Sequence, residues 1–233
     1  MLANNKKIWA VVPSAGTGQR MRQSIPKQYL ELNGRAVIEH TMAVLLSESR
    51  ISKIIVCVAK DDKFWEHLDC SKDPRVETTI GGATRAESVL NGINQLNDTE
   101  DERDWVLVHD AARPCLSTAL LGSFIDQLQK DKVGGILAVP SKDTVKQAAN
   151  NERNEIESTL ERERIWYAQT PQMFRFDLLK KALNYGVERR LNITDESSAI
   201  EMAGYRPKLI AGDVRNLKVT TPEDLEIASL LNR

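Results

Sequence analysis

Short, β-branched apolar runs alternate along this chain with amphipathic segments, and that rhythm restricts its architecture more than any other feature. Ile8-Trp9-Ala10-Val11-Val12, Ile54 to Ala59, Trp105 to His109, and Gly134-Gly135-Ile136-Leu137-Ala138-Val139 are runs of this kind. They are too short for buried helices and suit strands covered on both faces. Between them, Ala86, Val89, Leu90, Ile93 and Leu96 follow the i, i+3, i+4, i+7 spacing of one buried helical face. Val37 to Leu46 and Leu120 to Leu128 read the same way. Strand then helix, repeated, predicts an α/β fold with a mostly parallel sheet and right-handed crossovers. The 233 residues fit one domain, 1–233, with room for an excursion.

Residues 141–172 break the rhythm and read as that excursion. Asp143-Thr144-Val145-Lys146 and Ile165-Trp166-Tyr167-Ala168 look like strands, with Asn150 to Asn154 as a polar turn region between them. A long hairpin projecting from the sheet is the expectation. A second copy of the chain would cover such an arm, and an ordinary edge hairpin on a monomer is the alternative. Near the C-terminus, Leu209 to Asp213 is a weak strand. Thr221, Pro222 and Asp224 then suit the N-cap, N1 and N3 positions of a final helix.

A formal net charge of −1 gives no support for nucleic acid or an anionic membrane as partner. Any positive charge that holds an anion must therefore be local. Cys57, Cys70 and Cys115 are odd in number and widely spaced, which argues against a disulfide framework or a zinc site; Cys57 reads as a buried thiol. The apolar run after Lys6-Lys7 is shorter than the roughly 7–15 residues of a signal-peptide core. No stretch approaches the ~18 apolar residues of a membrane span. These features predict a cytoplasmic, soluble protein.

Three loops carry the chemistry. The first, Pro13-Ser14-Ala15-Gly16-Thr17-Gly18-Gln19-Arg20-Met21, follows the first strand and leads to Pro26-Lys27. Gly16 and Gly18 let backbone N–H groups approach a phosphate, Arg20 offers a planar fork of donors, and Lys27 adds a point charge. A tight turn alone also explains the two glycines. The dinucleotide fingerprint fails at Met21, where its third glycine would stand, and no P-loop run is present. The second loop, Gly81-Gly82-Ala83-Thr84-Arg85-Ala86-Glu87-Ser88, places free N–H groups before a helix; read alone, it is a helix entrance capped by Thr84 with Arg85 in solvent. The third, Val108-His109-Asp110-Ala111-Ala112-Arg113-Pro114, ends a buried strand, where open α/β sheets gather ligands. Asp110 there is either a hard-oxygen ligand for a cation or a helix cap. His40, His67 and His109 read as structural or surface residues.

In this order the loops resemble those of the methylerythritol phosphate cytidylyltransferases. The likeness continues through Asp143-Thr144, Arg162, Thr170-Pro171-Gln172, Ile193-Thr194-Asp195-Glu196 and Asn216-Leu217-Lys218-Val219-Thr220. It implies a Rossmann-like α/β domain whose β-arm builds a homodimer, joining CTP to a sugar-alcohol phosphate and releasing pyrophosphate. By match, Ser14, Ala15, Gly16, Gly18, Arg20 and Lys27 would hold CTP, while Gly82, Arg85, Ser88 and Ala111 would line the cytidine side. Asp110 would meet Mg²⁺ (Mn²⁺ is an alternative), and Lys218 would act with Arg20 and Lys27 in catalysis. Arg113, Thr170, Thr194 and Lys218 would contact the methylerythritol phosphate, with Thr144 and Arg162 supplied by the partner's arm.

Ala83 stands where some members carry Asp. Arg215 replaces a second acid found in some; either Asp213 substitutes for it or Mg²⁺ relies on Asp110 and the triphosphate alone. A ribitol 5-phosphate cytidylyltransferase shares the architecture and is the nearest alternative. A nicotinamide-dependent oxidoreductase is disfavoured by Met21, Arg20 and Lys27. A non-catalytic nucleotide sensor is disfavoured by the complete set of Arg20, Lys27, Asp110 and Lys218.

Overall fold

A computed structural model describes residues 7–16, 25–96, 104–150 and 153–232. In chain order the strands are β1 (Ile8–Pro13), β2 (Glu31–Leu32), β3 (Arg35–Ala36), β4 (Ile51–Val58), β5 (Val76–Ile80), β6 (Trp105–Val108), β7 (Gly134–Pro140), β8 (Lys146–Ala148), β9 (Ile156–Thr159), β10 (Trp166–Arg175) and β11 (Lys208–Ala211). The α-helices are α1 (Val37–Ser47), α2 (Arg85–Asn94), α3 (Thr118–Leu128), α4 (Phe176–Glu188), α5 (Glu196–Met202) and α6 (Pro222–Leu231).

Seven strands form the central sheet in the order β11-β7-β10-β6-β1-β4-β5. Neighbours are parallel except where β10 runs antiparallel between β6 and β7. β1, β4, β6 and β7 form where they were expected because both of their faces are covered. Ile8, Ala10 and Val12 join one apolar layer with α1 and α3. Trp9 and Val11 join the opposite layer with α2, α4 and α5. β4 and β6 divide in the same way, with Ile54 and Leu107 on the first side and Ile55 and Val106 on the second. A fully buried side chain of this size contributes about 1.5–3 kcal/mol. Helix α2 lies close on the sheet because Gly92 has no side chain: a Cβ there would sit 2.6 Å from Val11 Cγ1 and 3.0 Å from Cys57 Sγ.

Helix starts follow local chemistry. Thr84 accepts from Glu87 N, Ser117 from Leu120 N, Asp195 from Ser198 N and Thr221 from Asp224 N, each satisfying an orphan N–H.

The excursion differs from its expected form. Asp143 to Val145 lie outside any strand, and the hairpin pairs β8 with β9 as a small separate sheet. Trp166-Tyr167-Ala168 begins β10 of the main sheet instead. The reason is burial further along the run: Met173 and Phe174 are fully buried and draw the whole segment between β6 and β7. β10 bulges between Ala168 and Gln172, around a cis Thr170–Pro171 peptide. Among the described residues, no helix is long and apolar enough to cross a membrane.

Candidate active site

β1, β4, β5 and β6 are parallel, so the loops after β1, β5 and β6 leave from one edge of the sheet. Ser14 N bonds Cys57 O at 2.8 Å, Gly81 N bonds Val58 O at 2.8 Å, and His109 N bonds Val11 O at 3.0 Å. A cavity of about 250 Å³ opens between these loops, lined by Ala15, Gly16, Lys27, Gln28, Gly82, Arg85, Ser88, Asp110, Ala111 and Lys218, among others. The second loop packs against the first, since a Cβ on Gly81 would collide with that of Ala15.

Asp110 is the electrostatic centre. Its carboxylate is 2.8 Å from Lys218 Nζ, 3.0 Å from Arg85 Nε and 3.7 Å from Arg113 Nε. Burial opposes its charge, but Arg85, Lys218 and Arg113 together outweigh that and hold the carboxyl well below the usual range. It is ionised at neutral pH. Arg85 makes a second, bidentate contact with Glu196, at 2.7 and 3.0 Å. Glu196 is fully buried, and burial raises its carboxyl above the ordinary value against the pull of Arg85. Two acids thus face Arg85, Arg113 and Lys218, and Lys27 adds a further cation at the cavity, its Nζ 2.9 Å from Val219 O. The balance is positive, which suits a polyanion.

Behind Asp110 a polar network fixes the loop. Asp110 N donates to Thr170 Oγ1 at 3.0 Å, and that oxygen lies 2.9 Å from His109 Nδ1. Burial lowers His109 to about 4, so its ring is neutral near pH 7. Asn216 Nδ2 donates to Thr170 O at 2.8 Å, while Arg113 Nη1 donates to Asn216 O at 2.7 Å. The strand that carries Thr170 and the segment that carries Lys218 are therefore tied to the same loop.

A family model described as IspD, 2-C-methyl-D-erythritol 4-phosphate cytidylyltransferase, matches residues 8–233. The chain belongs to this family. The cytidylyltransferase of that name from Haemophilus influenzae strain PittGG is 51% identical over 225 residues, 96% of this chain and 95% of that one. Its namesake from Pseudomonas aeruginosa PAO1 is 48% identical over 219 residues, 94% and 93% of the two chains. The crystal structure of the Francisella tularensis protein of this name superposes with a TM-score of 0.83 at 36% identity, covering 97% of this chain and 100% of that one. The chain is accordingly a cytidylyltransferase of isoprenoid biosynthesis.

Among the described residues, the expected set divides into three groups. Ala15, Gly16, Lys27, Gly82, Arg85, Ser88, Asp110, Ala111 and Lys218 share the cavity. Ser14, Arg113 and Thr170 are buried beside it. Thr194, Thr144 and Arg162 are exposed and line no part of it. Gly18 and Arg20, with Thr17 and Met21, lie outside the described residues.

Two of the blander readings are corrected. Arg85 is not solvated but bridges Asp110 and Glu196, and Asp110 caps no helix, because Ser117 caps α3. Asp213 does not stand in for a second acid at the cavity: it pairs with Arg215, and both line a separate hollow beside His40 and Cys115. His40 bonds Leu32 O, His67 is exposed, and Cys57 is buried, as expected. Sequence reasoning missed Glu196 and Gln28 as parts of the site. Glu196 stands in the matched Thr194-Asp195-Glu196 string, and Gln28 directly follows Lys27; these positions were the available signals.

Proposed function

We propose that this chain transfers CMP from CTP to 2-C-methyl-D-erythritol 4-phosphate, releasing pyrophosphate. The observation that carries the reading is the convergence of Lys218, Arg85 and Arg113 on a buried Asp110, in a cavity that Lys27, Ala15 and Gly16 also line. A phosphate monoester is a nucleophile at neutral pH, so the reaction needs no general base. An acceptor phosphate oxygen attacks the α-phosphorus of CTP in line; the new P–O bond forms as the bond to the pyrophosphate oxygen breaks. Catalysis is then positioning plus charge neutralisation. Lys27 and Lys218, with Arg20, offset charge at the α-phosphorus and on departing pyrophosphate. Gly82, Arg85, Ser88 and Ala111 line the cytidine side, and Ser14, Ala15 and Gly16 face the triphosphate; Gly18 joins them by family match alone.

The donor set at the cavity fits a magnesium ion, with manganese as the alternative. No group of three or more His, Cys, Asp or Glu suited to a metal occurs among the described residues, whereas Asp110 presents one hard carboxylate at the cavity. Magnesium is commonly held by one or two carboxylates plus substrate phosphates. Asp110 would hold it, and the ion would neutralise charge on the triphosphate. The residues already around Asp110 keep that carboxylate ionised and oriented.

Arg113, Thr170 and Thr194 belong to the acceptor side in this reading. Thr144 and Arg162 belong to the acceptor site of a second copy, delivered by the hairpin in a homodimer. Their exposure, and the fact that neither lines their own chain's cavity, support that arrangement. Pyrophosphate release with CTP and Mg²⁺, comparing methylerythritol phosphate with ribitol 5-phosphate, tests the assignment. Rapid release with the first acceptor alone is expected. Preference for the second would move the activity to the ribitol alternative, which the family match does not favour.

A further inference from the structure

Gln28 has no place in the glycine and cation pattern, yet it lines the cavity and is buried at 4% exposure. Its Nε2 donates to Ser14 O at 2.7 Å and to Gly16 O at 3.3 Å. Both carbonyls belong to the loop that leaves β1. A planar trans peptide holds its carbonyl and the following N–H in opposite directions. Turning Ser14 O onto Gln28 therefore turns Ala15 N–H away from it. Left to itself, a loop of small residues would present some carbonyl oxygens to its ligand. Carbonyl dipoles repel a polyanion, whereas N–H groups attract one.

The glutamine is itself held firmly. It sits in a short 3-10 turn, Lys27–Tyr29. Tyr29 N bonds Pro26 O at 2.8 Å, Tyr29 Oη donates to Asp62 Oδ2 at 2.7 Å, and the Tyr29 ring stacks on Phe64 at 5.0 Å. Lys27 is tied to Val219 O on the other side. The turn is thus anchored to the loop after β4 and to the segment before α6. Adjacent residues have separate tasks: Lys27 brings charge, and Gln28 sets backbone direction.

We infer that Gln28 is a positioning residue for the CTP triphosphate: it draws the Ser14 and Gly16 carbonyls aside, so that the loop meets the phosphates with its N–H groups. The inference rests on the CTP reading of the cavity and adds to it a residue that touches the loop rather than the reacting atoms.

Two variants test it in the full-length protein. Gln28→Met keeps the length and removes the donor; Gln28→Glu keeps the shape and sets an acceptor against two carbonyls. CTP affinity is measured by equilibrium titration without acceptor, then KM for each substrate and kcat at saturating CTP. Gln28→Met is expected to weaken CTP binding about tenfold, the scale of one or two lost hydrogen bonds, and Gln28→Glu to weaken it more. KM for the acceptor should stay within about twofold, a split that general loosening of the fold would not produce. Wild-type CTP affinity in a folded Gln28→Met protein would overturn the inference. So would failure of both variants to fold, which would make Gln28 a core residue only. Failure of the wild type to bind CTP would sink the CTP reading itself and this inference with it.

Discussion

The Asp110 cluster and the β8–β9 hairpin are both rich in charge, and they use it in opposite ways. Around Asp110, partners come from distant parts of the chain: Arg85 from the start of α2, Glu196 from the start of α5, and Lys218 from the segment before α6. The group is largely withdrawn from water. On and beside the hairpin, ion pairs are local and exposed. Arg162 reaches Glu163 and Lys142 O, Arg153 reaches Glu155, and Arg164 reaches Glu161. Exposed pairs contribute about 0.2–1 kcal/mol, whereas a buried charge that loses its partner costs several. One region therefore has its geometry set within a single chain. The other holds its charged groups in local pairs at the surface.

The sharpest way to test that contrast is to remove Arg85. Arg85→Ala leaves Glu196 buried without its bidentate partner and should destabilise the fold by about 3–5 kcal/mol, read from urea unfolding. Arg162→Ala should shift the same curve by less than about 1 kcal/mol. Equal shifts would erase the distinction. Turnover gives the next test. Lys218→Ala and Lys27→Ala should each lose ~10²–10³ in kcat, the usual effect of removing a preorganised contact. Near-normal turnover in both would remove the roles assigned to them.

A smaller effect probes the packing beneath the nucleotide loop. Burial pushes the Cys57 thiol up to about 12 from 9.0. Because the folded value is raised, this thiol's contribution is fully present below pH 9. It is then lost as pH rises toward 12, by about 1.4 kcal/mol for each unit above 9. Cys57→Ala should flatten that part of the stability–pH curve, and alkylation of Cys57 at pH 8 should require unfolding; rapid labelling of the native protein would contradict its burial. Least in energy is the effect of Arg162→Ala on the acceptor: KM should rise about five- to tenfold with CTP binding intact, on the order of 1 kcal/mol. Mixing Arg162→Ala with Lys27→Ala subunits should bring back the wild-type acceptor KM if the hairpin serves a second copy. A mixture that exchanges subunits and keeps the raised KM would return the hairpin to its own chain.

Much of this was legible in the amino-acid order. β1, β4, β6 and β7 announce themselves because strands covered on both faces are apolar throughout, and Thr221-Pro222 marks the start of α6 by local chemistry alone. β5 is less visible: it is an edge strand, and Glu77, Thr78 and Thr79 dilute its apolar signal. The three loops stood out in the sequence, but turns and helix caps explain each of them taken singly, and only their order along the chain resembled one family. What the chain order could not decide is which charges meet. Arg85 was expected at the site only by resemblance, and its loop read alone left it in solvent, until the fold brought Glu196, 111 positions away, against it. Gln28 drew no reading of its own from the sequence, and only the fold brings it to Ser14 O. The antiparallel insertion of β10, which moved Trp166 to Ala168 out of the expected hairpin, is of the same kind. Periodicity and caps are local consequences of backbone geometry, so sequence alone determines them. Partner choice among buried charges, and the order of strands in a sheet, depend on which distant segments exclude water together, and only the tertiary structure decides that.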